Sequence, residues 1–169
     1  MCGINGILNF DGSPIDRHMV QDMNNTIKYR GPDASGIYFN HNIALGHQRL
    51  SIIDVKNGSQ PMSNDQNDIH ITYNGEVYNY LELKKELIKK GYTFHTNSDT
   101  EVVLKCYQEY GINFVNKLRG MFAIGIWDAK QKRLVLVRDR LGQKPIYYYY
   151  DDKKIIFSSE LRSIKKAFD

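Results

Sequence analysis

The chain has 169 residues, 41% apolar and 25% charged, proportions that suit one globular domain with a sizeable core. Its net charge of +4 is scattered rather than gathered into a stripe, which argues against nucleic acid as a partner. No run of residues has the apolar length of a bilayer span and no signal peptide opens the sequence, so a cytoplasmic protein without a membrane partner is expected. Two cysteines without a CxxC pair cannot build a disulfide framework, and five histidines without HxxxH or HExxH spacing do not suggest a metal site.

Cys2 directly follows the initiator Met1 in Met1-Cys2-Gly3-Ile4-Asn5-Gly6-Ile7. If Met1 is removed, one residue carries both a thiol and a free α-amine whose pKa lies at about 7.7–8.0. That amine is a base poised near neutral pH beside a nucleophile it could activate. Position alone does not settle this, since a small residue after a start codon is ordinary. Residues 2–9 read as a short buried strand, followed by a turn at 10–13. Ile15, Met19, Met23 and Ile27 recur at helical spacing until Arg30-Gly31-Pro32-Asp33 stops the helix.

Strands are predicted over 36–39 and 43–49, a polar loop over about 55–67, and an alternating strand over 69–73 that runs into Asn74-Gly75-Glu76. Two capping-box signatures, Asn79 to Glu82 and Ser98 to Glu101, open helices that end at Gly91 and Gly111. Cys106 falls on the apolar face of the second and is expected to be a packing residue. Lys84, Lys85, Lys89 and Lys90, with glutamates between them, form the solvated face of the first. Strands over 120–128 and 133–138, a hairpin over 146–157 and a last helix near Ser159-Glu160 complete the chain. Hairpins with paired helices point to antiparallel sheets covered by helices.

Several polar residues fall at strand ends and helix starts. Arg49 can grip a carboxylate through two parallel hydrogen bonds. The Asn74 side chain and the Gly75 N–H could face a developing oxyanion. Glu76 and Asp99 could receive an ammonium group. Together these would suit an α-amino acid whose side-chain carbonyl is attacked by Cys2. Each also has a plainer reading: Arg49 as a salt-bridge partner, Asn74-Gly75 as a turn, Asp99 as a charge favoured at a helix start. Spacing alone does not bring them together.

The segments Met1 to Ile4, Tyr29 to Asp33, Gly46 to Asp54, Tyr73 to Tyr80, Ser98 to Glu101, Arg119 to Ala123 and Arg138 to Pro145 carry a specific likeness. In them the chain resembles the N-terminal glutaminase domain of glutamine-hydrolysing asparagine synthetases, within the class II glutamine amidotransferases. The resemblance covers essentially the whole chain. It implies an α+β fold: a four-layer αββα sandwich of two antiparallel sheets, the N-terminal-nucleophile hydrolase fold, as a single domain over 1–169. It implies that Cys2, once first in the mature chain, attacks the glutamine carboxamide, with Asn74 and Gly75 as the oxyanion hole. Arg49 would take the α-carboxylate, Leu50, Ser51, Ile52 and Ile53 would line the site, and Glu76 and Asp99 would hold the α-amine.

No metal or cofactor is expected for this half reaction. ATP and Mg would belong to a synthetase domain, whose Ser-Gly-Gly-x-Asp-Ser loop does not occur in this sequence. The implied partners are glutamine, a synthetase domain in a longer chain or a separate subunit, and a second copy in a homodimer. The acceptor stays open between aspartate and the sugars or other carboxylates amidated by related enzymes, as does an inactive domain that keeps the fold.

Overall fold

The computed structural model describes residues 1–54 and 56–168. Among the described residues, nine strands and four α-helices follow one another as β1 (Gly3–Asn9), α1 (Arg17–Thr26), β2 (Ala34–Asn40), β3 (Ile43–Arg49), β4 (Met62–Ser63), β5 (Ile69–Val77), α2 (Tyr80–Lys89), α3 (Asp99–Tyr110), β6 (Gly120–Asp128), β7 (Arg133–Arg138), β8 (Tyr147–Tyr150), β9 (Lys154–Ser158) and α4 (Leu161–Lys165). One sheet has the order β2-β3-β1-β9-β8 and the other β4-β5-β6-β7, with every strand pair antiparallel.

Strand alternation builds the layers. Ile4 and Leu8 on β1 and Ile43 and Leu45 on β3 meet Ala123 and Trp127 of β6 between the sheets. On the other face of the first sheet, Ile7, Ala44 and Ile156 pack against Val20 and Met23 of α1 and Ile164 of α4. The second sheet turns Ile71, Tyr73, Ile124 and Ile126 towards Leu83 and Leu87 of α2 and Val102 and Val103 of α3. The result is a four-layer αββα sandwich, the N-terminal-nucleophile hydrolase architecture. Cys106 is buried in the outer core of α2 and α3.

Several local expectations are corrected. The first helix starts only at Arg17, with the Asp16 side chain accepting from the His18 N–H, so Ile15 lies ahead of it. That helix closes at Thr26, and a 3-10 turn over Lys28–Arg30 precedes Gly31. The loop expected over 55–67 contains β4, an edge strand too short for periodicity to reveal. Ser98 does cap α3 by accepting from the Thr100 N–H, but Glu101 accepts from the His95 and Thr96 N–H groups instead of closing a box. Asn79 makes no side-chain cap at α2. It spans to the loop before β6, donating to the Lys117 carbonyl and accepting from the Arg119 N–H.

Among the described residues, no helix is long and apolar enough to cross a membrane.

Candidate active site

Antiparallel pairing sets which chain ends meet. The start of β1 lies beside the ends of β3 and β9, because Gly3 pairs with Gln48 and Asn5 with Ser158. Cys2, Arg49 and Ser159 are therefore neighbours at one end of the first sheet. The second sheet brings the far end of β5 to the same end of the sandwich, and Asn74, Gly75 and Glu76 with it. A cavity of about 250 Å³ opens there, walled by Cys2, Arg49, Asn74, Gly75, Glu76 and Asp99 among others. Leu50, Ile52 and Ile53 also line it. Ser51 does not: its N–H donates to the Asp33 carboxylate at 2.7 Å, outside the cavity.

The Cys2 sulfur sits against one backbone unit. Leu50 N–H donates to Sγ at 3.4 Å, and the thiol faces the Leu50 carbonyl at 3.6 Å. Burial pushes the thiol above its usual pKa. The Leu50 N–H, the chain's amino terminus and Arg49 counter this only in part, and Asp99 adds to it. Cys2 is thus held as a neutral thiol that needs a base to become a nucleophile. Its carbonyl accepts from Arg30 Nε at 3.0 Å, which fixes the backbone behind the sulfur.

Arg49 is buried, and its Nη2 donates to the carbonyls of Ile53 and Asp54 at 3.1 and 2.8 Å. Gly58 permits this arrangement, since a Cβ there would come within 2.4 Å of Nη2. Asp54 also receives the Asn97 N–H at 2.8 Å, which ties the loop after β3 to the approach of α3.

The Asn-Gly pair forms no turn. It continues β5, with Asn74 opposite Ala123 and Gly75 opposite Phe122. Asn74 Nδ2 is buried without a hydrogen-bond partner among the described residues. An unmet donor in a core is costly, and at a cavity wall it is a place prepared for an acceptor. Gly75 cannot be replaced without movement, because a Cβ would lie 2.2 Å from the Met121 carbonyl oxygen.

Asp99 is buried at the start of α3, where the helix dipole favours a carboxylate. Burial raises its pKa, against hydrogen bonds from Tyr73, Val77 and Thr100 that lower it. Its Oδ2 accepts from the Tyr73 hydroxyl at 2.7 Å and from the Val77 N–H at 3.1 Å. Glu76 lies half-buried on the same wall.

The cavity also takes in Tyr73, Gln60 and Lys144, for which sequence patterns suggest no role. Tyr73 belongs to the strand alternation, which gives its side but not its hydroxyl's partner. Gln60 lies in the polar loop, where no pattern marks it. Its side chain accepts from Tyr73 N–H at 2.7 Å and donates to the Tyr73 carbonyl at 3.2 Å, standing in for a neighbouring strand. Lys144 is buried on a loop organised by Asp139. Among the described residues, no group of three or more His, Cys, Asp or Glu side chains is placed to hold a metal ion.

A cysteine at the head of the first strand, a sandwich of two antiparallel sheets and a polar cavity at their shared end give the chain the N-terminal-nucleophile hydrolase fold. The chain belongs to the glutamine amidotransferase domain family, whose model matches residues 1–169. It is 43% identical over 172 residues to asparagine synthetase [glutamine-hydrolyzing] 1 of Bacillus subtilis, covering 99% of this chain and 27% of that protein. It is 45% identical over 183 residues to a putative asparagine synthetase [glutamine-hydrolyzing] 2 of Methanocaldococcus jannaschii, covering 97% and 35%. The chain thus spans about a quarter to a third of the length of these relatives. A solved glutamine phosphoribosylpyrophosphate amidotransferase of B. subtilis superposes with a TM-score of 0.83 at 20% identity, over 99% of this chain and 44% of that one. That likeness concerns the fold.

Proposed function

We propose that this domain hydrolyses glutamine to glutamate and ammonia through Cys2, and that the ammonia passes to an acceptor-activating partner of the asparagine synthetase type. One observation carries the reading: the Cys2 thiol, the unpartnered Asn74 amide, Arg49 and Asp99 wall a single cavity. The names of the relatives supply the substrate and point to aspartate as acceptor.

In this reading Arg49 receives the glutamine α-carboxylate, and Asp99 and Glu76 receive the α-ammonium. These charges orient the carboxamide towards Cys2. With Met1 removed, the α-amine of Cys2 takes the thiol proton as sulfur bonds to the amide carbon. The amide oxygen gains the charge, and Asn74 Nδ2 with the Gly75 N–H answer it. The carbon–nitrogen bond then breaks, and the departing nitrogen takes the proton back from the amine and leaves as ammonia. Water, deprotonated by the same amine, adds to the thioester and releases glutamate and the thiol. The residues present supply every proton transfer in this half reaction, so it calls for no cofactor. ATP and Mg are assigned to the partner, which lies in a longer chain or in a separate subunit.

The test is glutamate release from glutamine by protein whose intact mass shows that Met1 is gone, beside Cys2→Ala. Release that depends on Cys2 supports the reading; equal release by the variant overturns it.

A further inference from the structure

Two lysines are buried among the described residues, Lys105 at 2% exposure and Lys144 at 8%. A lysine is buried as a rule only where an anion meets its ammonium group. Lys105 follows that rule, with Nζ 2.6 Å from Asp65 Oδ2. Lys144 does not. Its Nζ enters no hydrogen bond or ion pair among the described residues, yet the residue lines the Cys2 cavity. The acids of that cavity, Glu76 and Asp99, do not pair with it, and Asp99 already accepts from Tyr73 and Val77. The cavity therefore holds a cation whose anion has still to arrive.

Backbone bonds fix Lys144 to the rung that carries Gly75. Gly75 lies opposite Phe122 in the β5–β6 pair. Phe122 exchanges two bonds with Asp139: its N–H donates to Asp139 Oδ2 at 3.2 Å, and its carbonyl accepts the Asp139 N–H at 2.8 Å. The same Oδ2 accepts from the Lys144 N–H at 2.9 Å, and the Lys144 carbonyl accepts from Arg138 Nε at 3.2 Å. Both backbone groups of Lys144 are thus engaged, and only its side chain is left to meet a ligand. Arg49 is anchored elsewhere, by the carbonyls of Ile53 and Asp54 in the loop after β3. The two cations of the cavity are held by separate pieces of chain, as two separate carboxylates would require.

We infer that Lys144 is the residue by which the cavity tells glutamate from glutamine: its ammonium group takes the γ-carboxylate of the product, so that accumulated glutamate holds the site against glutamine and slows the supply of ammonia. This rests on the reading of the domain as a glutaminase. In that reading glutamine brings one carboxylate, which goes to Arg49, and a neutral γ-amide, whose oxygen goes to Asn74 and Gly75. Glutamate carries a second carboxylate in place of that amide, at the end nearest the Gly75 rung. The product supplies the anion that the substrate lacks. A lysine serves this purpose because its three donors sit on a flexible stem and act as a point charge, which gains more from a carboxylate than from a neutral amide.

The test is a calorimetric titration of the Cys2→Ala protein, freed of Met1, with L-glutamine and with L-glutamate, repeated with Lys144→Met or Lys144→Arg added. Methionine keeps the length of the stem and drops the charge, an exchange that leaves no protein group unpaired. Lys144→Met should lower the ratio of glutamate affinity to glutamine affinity about tenfold or more, as loss of a charge-assisted hydrogen bond implies. Lys144→Arg, which keeps the charge, should retain most of that ratio. A purely structural role would weaken both ligands alike, so the ratio separates recognition from support. An unchanged ratio in Lys144→Met overturns the role, as does a cavity that binds glutamine but not glutamate. In protein that keeps Cys2, glutamate should inhibit ammonia release competitively, with a Ki about tenfold higher in Lys144→Met; equal Ki values overturn the role as well. The titration needs no turnover, so the two readings fail separately. Glutamate binding that depends on Lys144 in a protein without glutaminase activity removes the glutaminase alone, and turnover with an unchanged ratio removes Lys144 alone.

Discussion

Arg30 joins the backbone of Cys2 to Glu160, the residue ahead of α4. Its Nε donates to the Cys2 carbonyl at 3.0 Å and its Nη1 meets Glu160 Oε1 at 2.8 Å, with both side chains largely buried. Burial alone would raise the Glu160 carboxyl, but hydrogen bonds from Tyr29, Arg30 and Arg162 outweigh it and hold the pKa at about 2. Glu160→Gln keeps the size and removes the charge. Arg30 then keeps an acceptor but loses the opposite charge at a part-buried position, and its hold on the Cys2 carbonyl is loosened. The expected result is a kcat for glutamate release lower by about tenfold with a smaller change in KM, the pattern of a group that positions the reacting atom. Steady-state kinetics of the two proteins checks it; an unchanged kcat means that Arg30 places Cys2 without help.

Cys2 itself gives a prediction about pH. Burial raises the thiol, so the free α-amine of the mature residue is the available base. kcat/KM should rise with pH as that amine loses its proton, with a midpoint at about 7.7–8.0 if it titrates as an ordinary α-amine. Protein that keeps Met1 has this nitrogen in a peptide bond and should release no glutamate. A pH profile on mass-verified protein decides the matter. Turnover in the Met1-containing species would require a different base.

How much of the fold and site is legible in the sequence depends on the physical range of each signal. Antiparallel sheets covered by helices follow from the apolar strand runs, the alternation over 69–73 and the capping signatures before the two helices, all local patterns, whereas the order of the four layers comes with the family resemblance. Cys106 is readable as core for the same reason. The roles of single polar groups are not, because they depend on partners far along the chain. Asn79 has the form of a helix cap yet bonds to residues 117 and 119. Gln60 reads as loop yet completes the edge of β5 beside Tyr73. The Asn74-Gly75 pair has the composition of a turn, but nine paired residues of β6 hold it in a strand. Ser51 stands in the same run as Arg49 and Ile53, but it does not line the cavity, and its N–H donates to Asp33. Resemblance to a known family reaches the rest of the wall because it carries three-dimensional information that one sequence does not.

Gly75 should tolerate no side chain. In Gly75→Ala the new methyl would lie 2.2 Å from the Met121 carbonyl oxygen and 2.7 Å from Phe122 Cα, both backbone atoms that cannot swing away. The β5–β6 pair must open, at a cost of about 1–3 kcal/mol for overpacking. Glutamate release should be lost even at temperatures where the variant stays folded. Thermal melts beside activity separate the two effects; full activity in a destabilised protein would place the oxyanion elsewhere.

Asp99 and Tyr73 allow charge to be tested apart from shape. Asp99→Asn retains an oxygen for the Tyr73 hydroxyl and the Val77 N–H but removes the negative charge offered to an α-ammonium. KM for glutamine should rise by about 10- to 100-fold, the range expected when a charge-assisted hydrogen bond is removed from a closed site, with a smaller change in kcat. Tyr73→Phe should show a weaker effect of the same kind, since it removes only the group that holds the carboxylate. An unchanged KM in Asp99→Asn assigns the ammonium to Glu76 instead.

The last prediction concerns stability in acid and lies between the sheets. His47 is fully buried, and burial with the nearby Arg49 pulls its pKa down to about 3. The Thr72 hydroxyl donates to the Gly46 carbonyl at 3.0 Å, so His47 Nδ1, 3.1 Å from Thr72 Oγ1, donates to that hydroxyl, and Nε2 has no hydrogen-bond partner among the described residues. The ring is neutral with no acceptor placed for a second proton. In the unfolded chain histidine takes a proton near pH 6.5. Between that pH and about 3 the unfolded state binds more protons, so stability is complete above pH 6.5 and falls as the pH drops towards 3. His70, also lowered by burial, acts in the same direction. Urea midpoints at pH 7.5, 6.5 and 5.5 should decline, above the range in which carboxylates titrate. His47→Asn should be less stable at pH 7.5, because it leaves a void, yet show a flatter decline. If the slopes of wild type and variant are equal, protonation of His47 is not what opens the sandwich in acid.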